Sequence, residues 1–205
     1  MVRTARTIAL VAVICLILLA GSARADSDLP FGKYVIVFSA EGGFNHFGPR
    51  LEEDGWMQAW TFAGRLSIMP LAPFRSALLG HIFDGALETG VEPVYVRFSS
   101  QSQNYGAGAI DLRYHLLGLS YGPLVPWIHW MGGVGGTDLQ VHALSGPLMF
   151  IMQAGGGVSW FFNPRTAVYL GYQYMHLSNA DTEHRDQSLN SGIGAVIGVS
   201  IFLPH

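Results

Sequence analysis

His176 and Ser178 stand two residues apart at the end of an apolar, alternating stretch, Tyr172-Gln-Tyr-Met-His-Leu-Ser-Asn-Ala180. In a β-strand, residues i and i+2 share a face with Cα atoms roughly 7 Å apart, so the two side chains can meet. A serine hydroxyl becomes a good nucleophile only when a neighbouring base takes its proton, and imidazole is the usual base. The chemistry this pair suggests is acyl transfer through a serine. Taken alone, a histidine at a strand end is more often a hydrogen-bonded surface group, and Ser-Asn before a loop is ordinary turn chemistry. The element that carries the pair, and the face on which it lies, separate the two readings.

The first 25 residues stand apart from the fold. Arg3 and Arg6 precede an apolar run from Ile8 to Ala20, and Ala23-Arg-Ala25 follows. This is the pattern of a cleaved secretory signal, with the cut expected before Asp26. The run is short for a transmembrane helix. Cys15, the only cysteine, falls inside it, so the expected mature chain of residues 26–205 has no disulfide and no thiolate metal site. Without Arg3, Arg6 and Arg24, 8 basic residues face 14 acidic ones, a balance near −6 that gives no electrostatic footprint for nucleic acid. Hydrophobic residues make up 50% of the chain and charged ones 12%, about half the usual charged share. No later run of about 20 apolar residues exists to form a spanning helix. An exported chain this apolar points to the other membrane solution, a closed β-barrel.

A membrane barrel places apolar side chains outward and small or polar ones inward, which makes the idea readable strand by strand. In Tyr105 to Leu116, Ile110, Leu112, Tyr114 and Leu116 share one face, opposite Ala107, Ala109, Asp111, Arg113 and His115. Met57 to Ile68 sets Trp60, Phe62, Leu66 and Ile68 against Thr61, Arg65 and Ser67. Leu148 to Phe162 and the final segment to Leu203 repeat the pattern, with glycine and serine on their minority faces. Lys33 to Ala40, Gly85 to Ser99, Leu124 to Gly135 and Thr166 to Asn179 supply the remainder. The expected fold is therefore all-β: one domain, an eight-stranded antiparallel transmembrane β-barrel of the outer-membrane type. Asn163-Pro-Arg165 reads as a tight hairpin turn, and Pro70 to Phe83, broken by Pro70 and Pro73, as a loop with a short helix. Trp56/Trp60 and Trp127/Trp130, with Tyr169, Tyr172 and Tyr174, suit interfacial aromatic girdles.

In the seventh strand, parity puts Tyr172, Tyr174, His176 and Ser178 on the lipid-facing side, and Tyr169, Gly171, Gln173, Met175 and Leu177 inside. An ionisable group at the end of a lipid-facing row costs free energy, and a substrate that lives in the membrane explains its presence. His176-Leu-Ser178-Asn179-Ala180, a polar loop, and then Leu189-Asn190-Ser191 opening the last strand resemble the outer-membrane lipid A 3-O-deacylases of PagL type, a group within the acyloxyacyl hydrolase-like proteins. Gly85-Ala-Leu-Glu88 to Val94-Tyr95, and Tyr105-Gly-Ala-Gly108 leading to Leu112-Arg113-Tyr114, extend the resemblance across most of the mature chain.

The resemblance implies an outer-membrane serine esterase that hydrolyses the 3-O-linked 3-hydroxyacyl ester of lipid A. It implies Ser178 as nucleophile, His176 as general base and Asn179 as an oxyanion donor, with no metal and no organic cofactor. Lipopolysaccharide would be the partner, and either a monomer or a homodimer is compatible. The family pattern places an orienting glutamate fourteen residues after the histidine, and here that position is Asn190. An asparagine can accept a hydrogen bond from the imidazole and fix its tautomer, but it cannot stabilise the imidazolium by charge. Glu183 and Asp186 in the intervening loop are substitutes in charge only. Parity counted from Ile193 turns Asn190 inward, so a bulge or loop must re-aim it.

Two other readings stay open at this stage. One is a non-catalytic structural or adhesive barrel of the same fold. The other is a periplasmic lipocalin-like binder, which requires the opposite parity and a soluble protein. His46, His81, His115, His129 and His184 show no metal-ligand spacing and read as structural or loop residues.

Overall fold

The computed structural model describes residues 29–48, 57–75, 80–99, 103–139, 144, 146–180 and 188–204. The expected leader, Trp56, Glu183, His184 and Asp186 lie outside them. Eight strands close into a barrel in chain order: β1 (Ile36–Phe47), β2 (Met57–Phe74), β3 (Gly85–Phe98), β4 (Gln103–His115), β5 (Leu124–Thr137), β6 (Leu148–Asn163), β7 (Thr166–Ser178) and β8 (Leu189–Leu203). Every neighbouring pair is antiparallel, including β1 with β8. Closure leaves no sheet edge, the condition a β-structure must meet in hydrocarbon.

The alternation read from the sequence sets the two faces. Ile110 and Leu170 are 62% and 63% exposed, and Phe62, Leu66, Val91 and Ile128 also point outward. An exposed apolar surface of this extent is a lipid-facing wall. Inside, two apolar plugs fill the ends. One holds Phe47, Phe98, Tyr105, Met131, Met175 and Leu177, and the other Phe31, Val37, Met69, Phe161 and Phe202.

Between the plugs runs a charged layer. Arg65 donates to Glu88 Oε1 at 3.0 Å, to Glu92 Oε2 at 3.3 Å and to Ser39 Oγ at 3.1 Å. Glu88 Oε2 lies 2.8 Å from His115 Nε2. Arg113 reaches Glu41 Oε2 at 3.4 Å, and its guanidinium lies 4.4 Å and 4.5 Å from the ring centroids of Trp127 and Tyr169. The lumen is a packed core rather than a pore, and glycine makes room for it. A Cβ on Gly171 would sit 2.6 Å from the Trp127 ring, and one on Gly198 would collide with Tyr169.

Three expectations change. Strand β1 runs on to Phe47 instead of stopping at Ala40. The inner face of its second half begins with Glu41, which accepts a hydrogen bond from Tyr169 Oη at 2.6 Å, and Gly43, packed against Thr61 and Gln173, and goes on to Asn45 and Phe47, both buried. Strand β2 continues through Pro70 and Pro73 to Phe74, where a loop was expected, and only His81–Phe83 forms a short helix. Its last pairing with β1 is Ile36 with Ile68, so both prolines lie where that flank has no ladder, and register shifts against β3 absorb them. Trp127 and Tyr169 are buried inside, whereas Trp60, Trp130, Tyr172 and Tyr174 face outward as a girdle requires. The Asn163-Pro-Arg165 turn forms as expected, closed by Arg165 N–H donating to Asn163 Oδ1 at 2.8 Å.

Candidate active site

Strand β7 carries His176 and Ser178 on the outer wall, and its burial alternates throughout: Met175 and Leu177 are enclosed, while His176 and Ser178 are half-buried. They lie at the rim opposite the Asn163-Pro-Arg165 turn, where β7 ends. On β6, Met152 pairs with His176 and Phe150 with Ser178, and both of these apolar residues are exposed.

Asn190 completes the group through a bulge. Tyr172 pairs with Ala195 and His176 with Asn190, so β8 uses one residue more than β7 between the two pairings. Against β1 the extra residue is Gly192, because Phe47 pairs with Ser191 and His46 with Ile193. A bulge reverses face parity beyond it. Asn190 is thereby turned to the outer wall, while Ser191 points inward and its Oγ accepts a hydrogen bond from Met175 N–H at 2.6 Å. The re-aiming that parity demanded is present.

Asn190 Oδ1 lies 2.7 Å from His176 Nδ1 and accepts a second hydrogen bond from Tyr174 Oη at 2.5 Å. Asn190 Nδ2 donates to Ser188 Oγ at 3.4 Å. With a carbonyl oxygen as its partner, Nδ1 is the donor, a role that in the neutral tautomer leaves Nε2 its lone pair for a proton. Among the described residues no hydrogen bond joins Ser178 Oγ to His176; such contacts are commonly long in unliganded sites and tighten around substrate. Asn179 follows the strand with its side chain fully buried, and Ala180, at φ 53°, turns the chain away. The sequence reading gave Tyr174 to the aromatic girdle and to the outer face beside His176, but not its contact with Asn190, which its i, i+2 relation to His176 signalled.

No family model matches the chain, and no curated protein sequence matches it. Among solved structures the chain is similar to Neisserial surface protein A, with a TM-score of 0.58 and 12% identity over 81% of this chain and 96% of that one. It is also similar to the outer membrane enzyme PagL, with a TM-score of 0.55 and 14% identity over 80% of this chain and 97% of that one. The chain has the fold of an outer-membrane β-barrel. Identities this low establish the barrel and no more, so the activity must be argued from the side chains on its wall.

Proposed function

We propose that this barrel is an outer-membrane serine esterase that hydrolyses the 3-O-linked 3-hydroxyacyl ester of lipid A. The observation that carries the reading is the hydrogen bond between His176 Nδ1 and Asn190 Oδ1, made on the outer wall by a bulge that turns Asn190 there. It orients an imidazole whose free nitrogen serves the hydroxyl two residues along the same face. An ester embedded in the membrane is the substrate such a site can reach. Phe150 and Met152, exposed beside the pair, suit its acyl chain.

In the reaction, His176 Nε2 takes the Ser178 proton as Oγ attacks the ester carbonyl carbon. The tetrahedral oxyanion collapses, the C–O bond to the sugar breaks, and the imidazolium protonates the departing sugar oxygen to a hydroxyl. Water, deprotonated by the same nitrogen, then releases the 3-hydroxy acid from the acyl-serine. The oxyanion role falls to the backbone N–H of Asn179, because that residue's side chain is enclosed; one such donor is worth about 2.7–4 kcal/mol. The chemistry calls on no metal and no organic cofactor.

Expression in an outer membrane should lower the mass of lipid A by one 3-hydroxyacyl group, and Ser178→Ala should abolish the loss. The neutral Asn190 favours a second reading, a surface barrel that keeps the scaffold without turnover. Unchanged lipid A in membranes that hold the folded wild-type barrel would establish that reading instead.

A further inference from the structure

Three inward-facing side chains on successive strands, Glu92 of β3, Asp111 of β4 and His129 of β5, converge in the charged layer, remote from the outer wall. One ligand atom from each lies within 4.8 Å of the others. The residues are 1%, 0% and 8% exposed. Glu92 Oε1, both carboxylate oxygens of Asp111 and His129 Nε2 have no hydrogen-bond partner. His129 Nε2 lies 2.5 Å from Asp111 Oδ2, an ion-pair distance reached without hydrogen-bond geometry, so the two atoms crowd one small space. Buried polar groups left this way are expensive, and two carboxylates beside each other more so.

The charge of the layer points the same way. Among the described residues, four carboxyl groups, those of Glu41, Glu88, Glu92 and Asp111, share the interior with two guanidinium groups, those of Arg65 and Arg113. The excess of acidic over guanidinium groups suits a cation. We propose that Glu92, Asp111 and His129 bind one divalent first-row transition-metal ion inside the barrel. Two carboxylates and an imidazole are a donor set for zinc, and for cobalt in its place. Tetrahedrally placed ligand atoms at about 2.0–2.2 Å from such an ion lie about 3.3–3.6 Å apart, so side-chain ends that move by about 1 Å close the set. Arg65 supplies the outer contacts, 3.3 Å from Glu92 Oε2 and 3.6 Å from Asp111 Oδ1, and holds the carboxylates in place. The ion clamps three neighbouring strands across the lumen, independently of any chemistry on the outer wall.

The test is metal uptake by the full barrel in detergent after chelator treatment and dialysis. Zinc added alone should be retained at one ion per chain and raise the unfolding temperature, and cobalt should give the visible absorption of a bound, nitrogen-containing site. Asp111→Asn and Glu92→Gln, checked for strand content by circular dichroism, should each weaken zinc binding roughly tenfold or more. An exposed control, His81→Ala, should leave it unchanged. Wild-type barrel that retains no zinc would overturn the site whether or not the variants fold. Retention undiminished in both folded variants would overturn it too, by placing the metal on surface histidines.

Discussion

Asn190 holds the His176 imidazole through a neutral hydrogen bond, which in the proposed reaction would fix the tautomer without stabilising the imidazolium formed when Ser178 loses its proton. A carboxylate there would do both. Asn190→Glu is therefore expected to raise the rate of ester release at least tenfold; removal of the charge from a comparable triad costs far more, about 10⁴-fold. Asn190→Ala should lower the rate and leave strand content unchanged by circular dichroism. A glutamate variant no faster than wild type would show that orientation alone limits the step. The residues of this group were legible because their spacing is short: His176 and Ser178 are two apart, and the fourteen residues to Asn190 span one hairpin. Glu92, Asp111 and His129 were not, because their spacing carries no metal signature. They meet only through the registers of β3 with β4 and of β4 with β5, in which Gly90 faces Asp111 and Arg113 faces His129.

At the scale of elements, the bulge in β8 decides which side chain joins the outer wall. Deletion of Gly192 should remove the extra residue and return Asn190 to the inner face. The expected result is a folded barrel with ester release lost, measured against wild type at equal strand content. Activity retained by the folded deletion variant would mean that Asn190 does not orient His176. Parity exposed the need for this bulge but not its place, since a one-residue slip inverts every later face. Strand lengths were harder to read. The end of β1 escaped because Glu41-Gly-Gly43 obeys the packing of the lumen, where Tyr169, Thr61 and Gln173 take up the space, rather than hydropathy. Pro70 and Pro73 mark the end of the β1–β2 ladder rather than the end of β2.

The whole molecule is an inverted core, with apolar residues on the outside and a charged layer held between two apolar plugs. Arg65 ties three buried carboxylates into that layer, at 3.0–3.6 Å. Arg65→Ala should cost about 3–5 kcal/mol in reversible urea unfolding, the usual effect of leaving buried charges uncompensated. On the other face, Ile110→Arg puts a charge where the wall is among its most exposed. It should cost about 2–4 kcal/mol in lipid and little in a detergent that deforms around it. This inversion was the most legible property of the chain, because so few charges cannot coat a water-facing exterior. Under the proposed function it also puts the substrate, an ester in the surrounding lipid, within reach of a serine and a histidine on the outer wall. The direct measurement of that claim is release of free 3-hydroxy fatty acid from lipid A by the purified barrel in mixed micelles, followed by mass spectrometry. Wild type should liberate one 3-hydroxy acid per lipid A over many turnovers, and Ser178→Ala and His176→Ala none. Equal release by wild type and Ser178→Ala, or none by a folded wild-type barrel, would contradict the account.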